Sequence, residues 1–123
     1  AFRVLLPGGW LLVDAVAPAY LQEAFGGGVE VYETRDVLCL WRHAWDAAAR
    51  ASRIRVDTFE RRGSAWRRHR PELHVHRAYP QAFLIRSLER AGFADLSVFG
   101  LPAAGPVRPS DSHWLFAARR PEA

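Results

Sequence analysis

The sequence predicts an α/β fold that carries an antiparallel β insertion. An apolar run follows a Pro-Gly-Gly turn near the start, the middle of the chain alternates with a period of two, and a helix between two strands closes it. Fully buried strands read as continuous apolar runs, whereas antiparallel strands with one solvated face alternate. We therefore assign residues 1–28 and 80–123 to an α/β core and residues 29–79 to an antiparallel β insertion.

The composition is typical of a globular protein. The chain has 123 residues, of which 50% are hydrophobic and 24% charged, and all 17 of its basic residues are arginine, for a net charge of +4. No apolar run reaches the roughly 20 residues that a membrane span needs. Cys39, the single cysteine, lies in an alternating apolar run and is expected to be buried and reduced. We expect a soluble, cytoplasmic protein.

The first elements are predicted to be the end of a helix, a strand and a short helix. Residues 1–6 have the pattern of a last helical turn, so the chain is expected to begin inside an element. Residues 10–16 are apolar on both faces except at Asp14, which is typical of a buried central strand in a parallel sheet. Residues 19–25 form a short helix, and residues 26–28, all glycine, are expected to cap it and to act as a linker.

The middle of the chain is predicted to be a meander of three or four antiparallel strands. Its residues alternate with a period of two, and turns are expected at residues 46–50 and 62–64. A helix then begins at Pro80, a residue favoured at the first helical position, and ends at Gly92.

The last segments are predicted to be two strands joined by a loop. Residues 93–100 form the first strand, residues 101–112 a loop rich in proline and glycine, and residues 113–118 the second. A helix between two strands restores the α/β pattern.

Several segments together match one family. Residues 4–14 read VLLPGGWLLVD, residues 80–93 form a helix that ends in Ala-Gly-Phe, and residues 113–119 form a final strand. In this order and spacing they resemble the C-terminal half of class I S-adenosylmethionine-dependent methyltransferases. The segment with Glu72, His74, Arg77 and Tyr79 is similar to the E-x-H-x-x-R-x-Y strand that a subgroup of small-molecule methyltransferases carries in an antiparallel insertion.

The resemblance implies the C-terminal half of a Rossmann-like methyltransferase fold, with S-adenosylmethionine as the cofactor of the complete protein. The family holds its cofactor with a glycine-rich turn that joins a strand to a helix. Residues 26–28 follow a helix instead. We expect this chain to be a fragment that binds no cofactor and is inactive alone, and that pairs with an N-terminal complement or with a second copy.

The resemblance also implies a pocket for a small-molecule methyl acceptor. His74 and Glu72 are the predicted catalytic pair, because they project from the same face of one strand and a carboxylate beside an imidazole tunes it as a base. The predicted acceptor-binding residues are Asp14, Tyr20, Trp41, His76, Arg77 and Tyr79.

Structural alternatives remain for these residues. Glu72, His74 and His76 also suit a solvated polar stripe, or a metal site completed by His43, His69 or His113. Trp41 suits packing beneath the hairpin as well as an acceptor wall, and Asp14 suits a cap of the following helix. We predict no metal.

An arginine-rich hairpin supports a different class of function. Arginines surround the second predicted turn, with Trp66 among them: Arg61, Arg62, Arg67, Arg68 and Arg70. A stand-alone module that binds an anionic ligand or RNA would use such a patch. The carboxylates of Asp57, Glu60 and Glu72 lie nearby along the chain, so we favour the small-molecule acceptor and expect no nucleic acid and no membrane partner.

Overall fold

The computed structural model describes residues 1–122. Its helices are a 3-10 turn at Phe2–Val4, α1 at Pro18–Phe25 and α2 at Gln81–Arg90. Its strands are β1 at Trp10–Val16, β2 at Gly27–Glu33, β3 at Val37–Asp46, β4 at Ala51–Arg62, β5 at Ala65–Arg68, β6 at Glu72–Arg77, β7 at Ala94–Leu101 and β8 at His113–Arg119. The predicted mixture of helices and antiparallel strands is confirmed.

Backbone contacts divide the chain into two units. The first comprises Ala1–Tyr20 and Ala78–Ala123, and the second comprises Leu21–Arg77. The predicted division into core and insertion places its boundaries after residues 28 and 79, and the roles assigned to the two parts stay predictions. Among the described residues, no helix has the length and apolarity needed to cross a membrane.

The first unit is a three-stranded antiparallel sheet with α2 against it. The strand order is β1-β8-β7. Phe116 of β8 lies opposite Val13 on one side and Val98 on the other, and it is 1% exposed. Leu84 and Leu88 of α2 line a small cavity of about 140 Å³ together with Val13 and Phe116. These two leucines of α2 therefore face the sheet.

Strand β1 differs from the prediction of a central parallel strand. Within residues 1–122 it is an edge strand, paired only with β8 and antiparallel to it. One of its faces is exposed, with Trp10 at 53% and Leu12 at 63%. A strand is buried on both faces only when other elements pack against each face, and within residues 1–122 the face that carries Trp10 and Leu12 is left exposed.

The ends of the helical segments are corrected in detail. The chain opens with a single 3-10 turn, and Leu5 is already extended. Pro80 precedes α2 as its N-cap, with ψ of 144°, instead of forming its first residue. Gly92 follows α2 with a φ of +96°, a left-handed conformation that favours glycine.

The second unit contains a five-stranded sheet, whereas three or four strands were predicted. The order is β2-β3-β4-β5, and β6 also pairs with β4. Residues 59–62 of β4 pair with β5 and residues 51–56 pair with β6, so one edge of this long strand carries two partners. We call β2 to β6 the insertion sheet.

The two predicted turns of the insertion are confirmed. In the first, the backbone N–H of Ala49 donates to Asp46 Oδ1 over 2.9 Å, and this bond is the main cause that lowers the pKa of Asp46. From this turn the whole of β3 pairs with residues 51–60 of β4. In the second turn, Gly63 has a φ of +64°.

The predicted linker at residues 26–28 is wrong. Gly27 and Gly28 begin β2 and pair with Ala44 and His43. Backbone pairing with β3 needs no side chain, so the sheet tolerates glycine here despite its entropic cost. Cys39 is free and half-buried instead of fully buried.

Candidate functional site

Strands β3 and β6 place several of the predicted site residues on one face of the insertion sheet. Trp41 of β3 lies opposite Val56 of β4, and His74 of β6 lies opposite Ile54. Directly paired residues project to the same face of a sheet. We call the face that carries Trp41, Glu72 and His74 the His74 face.

The predicted pair is formed on this face. His74 Nε2 lies 3.0 Å from Glu72 Oε2, and the two side chains are 42% and 67% exposed. The indole of Trp41 stacks on the imidazole, with ring centroids 6.3 Å apart and planes at 25°. The carboxylate and the indole together hold the imidazole in one orientation, while its rim stays accessible.

Sequence reasoning missed two further residues of this face, Glu30 and Tyr32 of β2. The ring of Tyr32 meets Trp41 edge-on at 5.5 Å. Its hydroxyl donates to the Glu30 carboxylate, and this hydrogen bond is the main cause that raises the pKa of Tyr32 above its ordinary value. The register of the β2–β3 hairpin, which sets Glu30 opposite Trp41, was the signal that could have found them.

His43 of β3 also lies on the His74 face, opposite Ile54, and it is buried. Its side chain is 1% exposed, and neither ring nitrogen makes a hydrogen bond, although Nε2 lies 3.2 Å from Glu30 Oε1. Its ring packs 5.3 Å from that of Phe25 at the end of α1. The backbone carbonyl of Phe25 in turn accepts a hydrogen bond of 2.6 Å from Ser52 Oγ, which holds Phe25 against β4.

The structure separates the remaining predicted residues of β6. His76 lies opposite Ser52, on the His74 face. Arg77 lies opposite Ala51 and projects to the other face, so it does not join the pair.

The other three predicted residues, Asp14, Tyr20 and Tyr79, belong to the first unit and do not cluster there. Asp14 is exposed on β1, opposite Leu115. Tyr20 packs 5.6 Å from His113, and Tyr79 stacks on Phe83 at 5.1 Å. Each has a different neighbour.

The first unit also contains a cavity that the sequence did not indicate. It measures about 470 Å³ and lies just after the end of β1, where residues 17–19 meet residues 107–109, Asp111 and Trp114. Asp111 is 8% exposed and accepts a hydrogen bond of 2.6 Å from the backbone N–H of Arg108. Ligands of open α/β sheets bind beyond the carboxyl ends of strands, which is where this cavity lies.

The described residues contain neither a cluster of metal-ligand side chains nor a glycine-rich connection from a strand to a helix. Within residues 1–122, no group of three or more His, Cys, Asp or Glu side chains could hold a metal ion. The two strand-to-helix connections, β1 to α1 and β6 to α2, contain no glycine. A glycine-rich connection of this kind is what lets a backbone approach a cofactor closely at a helix N-terminus.

The fold of the chain is similar to that of several solved methyltransferases. The chain is similar to an S-adenosylmethionine-dependent methyltransferase from Clostridium acetobutylicum, with 18% identity and a TM-score of 0.77 over 97% of this chain and 47% of that one. It is similar to the CcbJ methyltransferase from Streptomyces caelestis, with 19% identity and a TM-score of 0.68 over 98% and 47%.

A third similar structure is an amino pentose methyltransferase from Micromonospora echinaspora, with 14% identity and a TM-score of 0.56 over 97% of this chain and 47% of that one. No protein-family model and no curated protein matches the sequence. The chain spans about half the length of the solved structures that it matches. The predicted fold, the C-terminal portion of a Rossmann-like methyltransferase with an antiparallel insertion, is confirmed.

Proposed function

We propose that this chain is the acceptor-side part of an S-adenosylmethionine-dependent methyltransferase that acts on a small molecule. The observation that carries the proposal is the match of nearly the whole chain to about half of several methyltransferases. The His74 face supplies the chemistry that the acceptor side of such an enzyme needs: an oriented base, carboxylates and aromatic walls.

His74 is the proposed general base. With Nε2–H directed at Glu72, the lone pair of Nδ1 is left to accept a proton from the acceptor. The imidazolium that forms would be stabilised by the Glu72 carboxylate beside it. Binding of the acceptor at the His74 face would supply the orientation that an in-line methyl transfer needs, and S-adenosylmethionine would supply the methyl group and leave as the thioether S-adenosylhomocysteine.

The proposed acceptor is an amine. Glu30 and Glu72 place two carboxylates on the His74 face, and Tyr32 and Trp41 present aromatic rings beside them. Carboxylates and aromatic faces both attract an ammonium group. The amino pentose methyltransferase among the similar structures supports the same class of acceptor.

A methyl-transfer assay tests this function. The chain is joined to a cofactor-binding half, and transfer from S-adenosylmethionine is followed by mass spectrometry with an amino sugar and with the same sugar carrying a hydroxyl in place of the amine. We expect N-methylation of the amino sugar. Absence of transfer to any amine would contradict the proposal, and methylation of the hydroxyl analogue at an equal rate would contradict the amine assignment.

We also propose that the free edge of β1 pairs with an N-terminal complement or with a second copy of the chain. This edge has no partner among the described residues, and Trp10 and Leu12 beside it are exposed. Unpaired edges with apolar side chains recruit further strands. Light scattering should show self-association of the chain alone, and a monomer at high concentration would count against the second-copy arrangement.

A further inference from the structure

The opposite face of the insertion sheet carries a different cluster, in which three arginines converge on one carboxylate. Asp57 of β4 is 1% exposed and accepts hydrogen bonds from Arg42, Arg55 and Arg68. The distances are 3.2 Å from Arg55 Nε to Oδ2 and 2.6 Å from Arg68 Nη2 to Oδ1, and Arg42 Nη1 also contacts Oδ2. We call the face of the insertion sheet that carries this cluster the Asp57 face.

The strand register brings the three arginines together. Arg42 of β3 lies directly opposite Arg55 of β4, and Asp57 follows two residues later on the same face. Arg68 is the last residue of β5, at the place where the edge of β4 changes partner from β5 to β6. The cluster therefore belongs to the fold itself and does not depend on a loop.

The charges of this cluster do not balance. Three guanidinium groups share one carboxylate, and the described ion pairs of Arg42, Arg55 and Arg68 include no other acid. Two of the three positive charges are thus left without a counter-charge. Like charges directly opposite each other in a sheet repel, as Arg42 and Arg55 must, so an added anion is favoured at this place.

The arginines also keep accessible donors. The side chains of Arg42, Arg55 and Arg68 are 48%, 53% and 50% exposed. A guanidinium has five N–H donors, and Asp57 occupies only one or two on each. Because a buried carboxylate already orients the three groups, an oxyanion with several oxygen atoms could accept from them at little further entropic cost.

We propose that Arg42, Arg55 and Arg68 form a binding site for a phosphate-type oxyanion on the Asp57 face. Leu73 lies opposite Arg55 and is 66% exposed, so an apolar surface borders the arginines. A phosphorylated small organic molecule fits this combination. The site lies on the face opposite to His74, so it is distinct from the proposed acceptor site of the same sheet.

Titration of the chain with inorganic phosphate and with a phosphate monoester tests the site. Binding is measured by calorimetry and by the NMR signals of the arginine side chains, with the ionic strength held constant by sodium chloride. We expect saturable binding that shifts the signals of Arg42, Arg55 and Arg68. R55Q should weaken it about tenfold, because it removes one of the three guanidinium groups and, with it, two of the four arginine hydrogen bonds to Asp57 that order the cluster.

Arg53 provides a matched control. It lies on the same strand and the same face as Arg55, is 56% exposed, and pairs with Asp46 instead of Asp57. R53Q should keep the phosphate affinity of the parent chain. R68Q, at the end of the short β5, serves as a second test if R55Q does not fold, and it should also weaken binding about tenfold.

Three results would overturn the site. One is the absence of any saturable phosphate signal, and another is an equal loss in R53Q and R55Q, which would indicate diffuse electrostatic attraction. The third is binding of an RNA oligonucleotide without binding of phosphate or its monoester, which would assign the face to nucleic acid.

Discussion

The imidazole of His74 and the indole of Trp41 lie nearly parallel, with 6.3 Å between their centroids, although they come from strands on opposite edges of β4. Their rings meet above Ile54 and Val56, the β4 residues opposite them, which are 0% and 7% exposed. The contact therefore has two consequences: it covers the centre of the sheet, and it orients an exposed imidazole. The proposed acceptor site depends on this contact.

Trp41→Ala should weaken acceptor binding about tenfold, or about 1.4 kcal/mol, because an aromatic wall and a support of His74 are lost together. Calorimetry with an amino sugar measures the effect, and Trp41→Phe should restore most of it. The matched control is Trp66→Ala, since Trp66 is 42% exposed and contacts Arg61 on the second hairpin. Equal losses in the two alanine variants would contradict the assignment of Trp41.

Gly100→Ala should destabilise the first unit by about 1–3 kcal/mol through overpacking. A Cβ atom at Gly100 would lie 1.8 Å from Oδ2 of the buried Asp111. Gly105, whose carbonyl accepts from the Gly100 N–H, has nothing within 4 Å of an added Cβ, so Gly105→Ala is the control. Urea unfolding compares the two, and equal stabilities would show that the loop beside the 470 Å³ cavity is not packed as described.

Phe116→Ala should cost about 3–5 kcal/mol of unfolding free energy, because this side chain fills the centre of the first unit. Phe99 of β7, which is 37% exposed, gives the control on the same sheet, and Phe99→Ala should cost less than about 1 kcal/mol. Urea denaturation measures both. A small loss for Phe116→Ala would mean that the chain alone does not pack this sheet.

Acid should weaken the second unit through Asp57. The hydrogen bond from Arg68 is the main cause that holds the pKa of Asp57 below its ordinary value of 3.8. A carboxyl whose pKa is lowered on folding stabilises the fold above its unfolded pKa, and this contribution is lost as the pH falls through the folded pKa. We expect the unfolding free energy of the parent chain to fall more steeply below about pH 4 than that of Asp57→Asn.

Urea unfolding at a series of pH values measures this difference. Asp95→Asn is the control, because Asp95 is exposed and its only described ion pair, with Arg119, is 3.9 Å long. It should keep the slope of the parent chain. If Asp57→Asn does not fold, Arg68→Gln should show the reduced slope instead, and parallel profiles for all variants would refute the role of Asp57.

The sequence was sufficient for the parts of the fold that local patterns specify. The turns at residues 46–50 and 62–64, the helix ended by Gly92 and the alternation of Glu72 with His74 were all found from spacing and turn chemistry. These features depend on residues close together along the chain.

The features that were missed depend on pairing between distant residues. Asp57 reads as one more polar position between arginines, and only the register of three strands shows that it is buried beneath Arg42, Arg55 and Arg68. The same holds for Gly27 and Gly28. Local propensity assigns these glycines to a linker, but they pair with β3 and belong to the sheet. Glu30 and Tyr32 join the His74 face for the same reason.

The central claim is that His74 is the base of an acceptor site, and a comparison of two histidine variants tests it most directly. His69 also contacts a carboxylate, with 3.2 Å from Nε2 to Glu60 Oε2, and it is 43% exposed, close to the 42% of His74. In the methyl-transfer assay, His74→Gln should lower kcat about a hundredfold, and His69→Gln should leave it unchanged. Equal rates for the two variants would contradict the account.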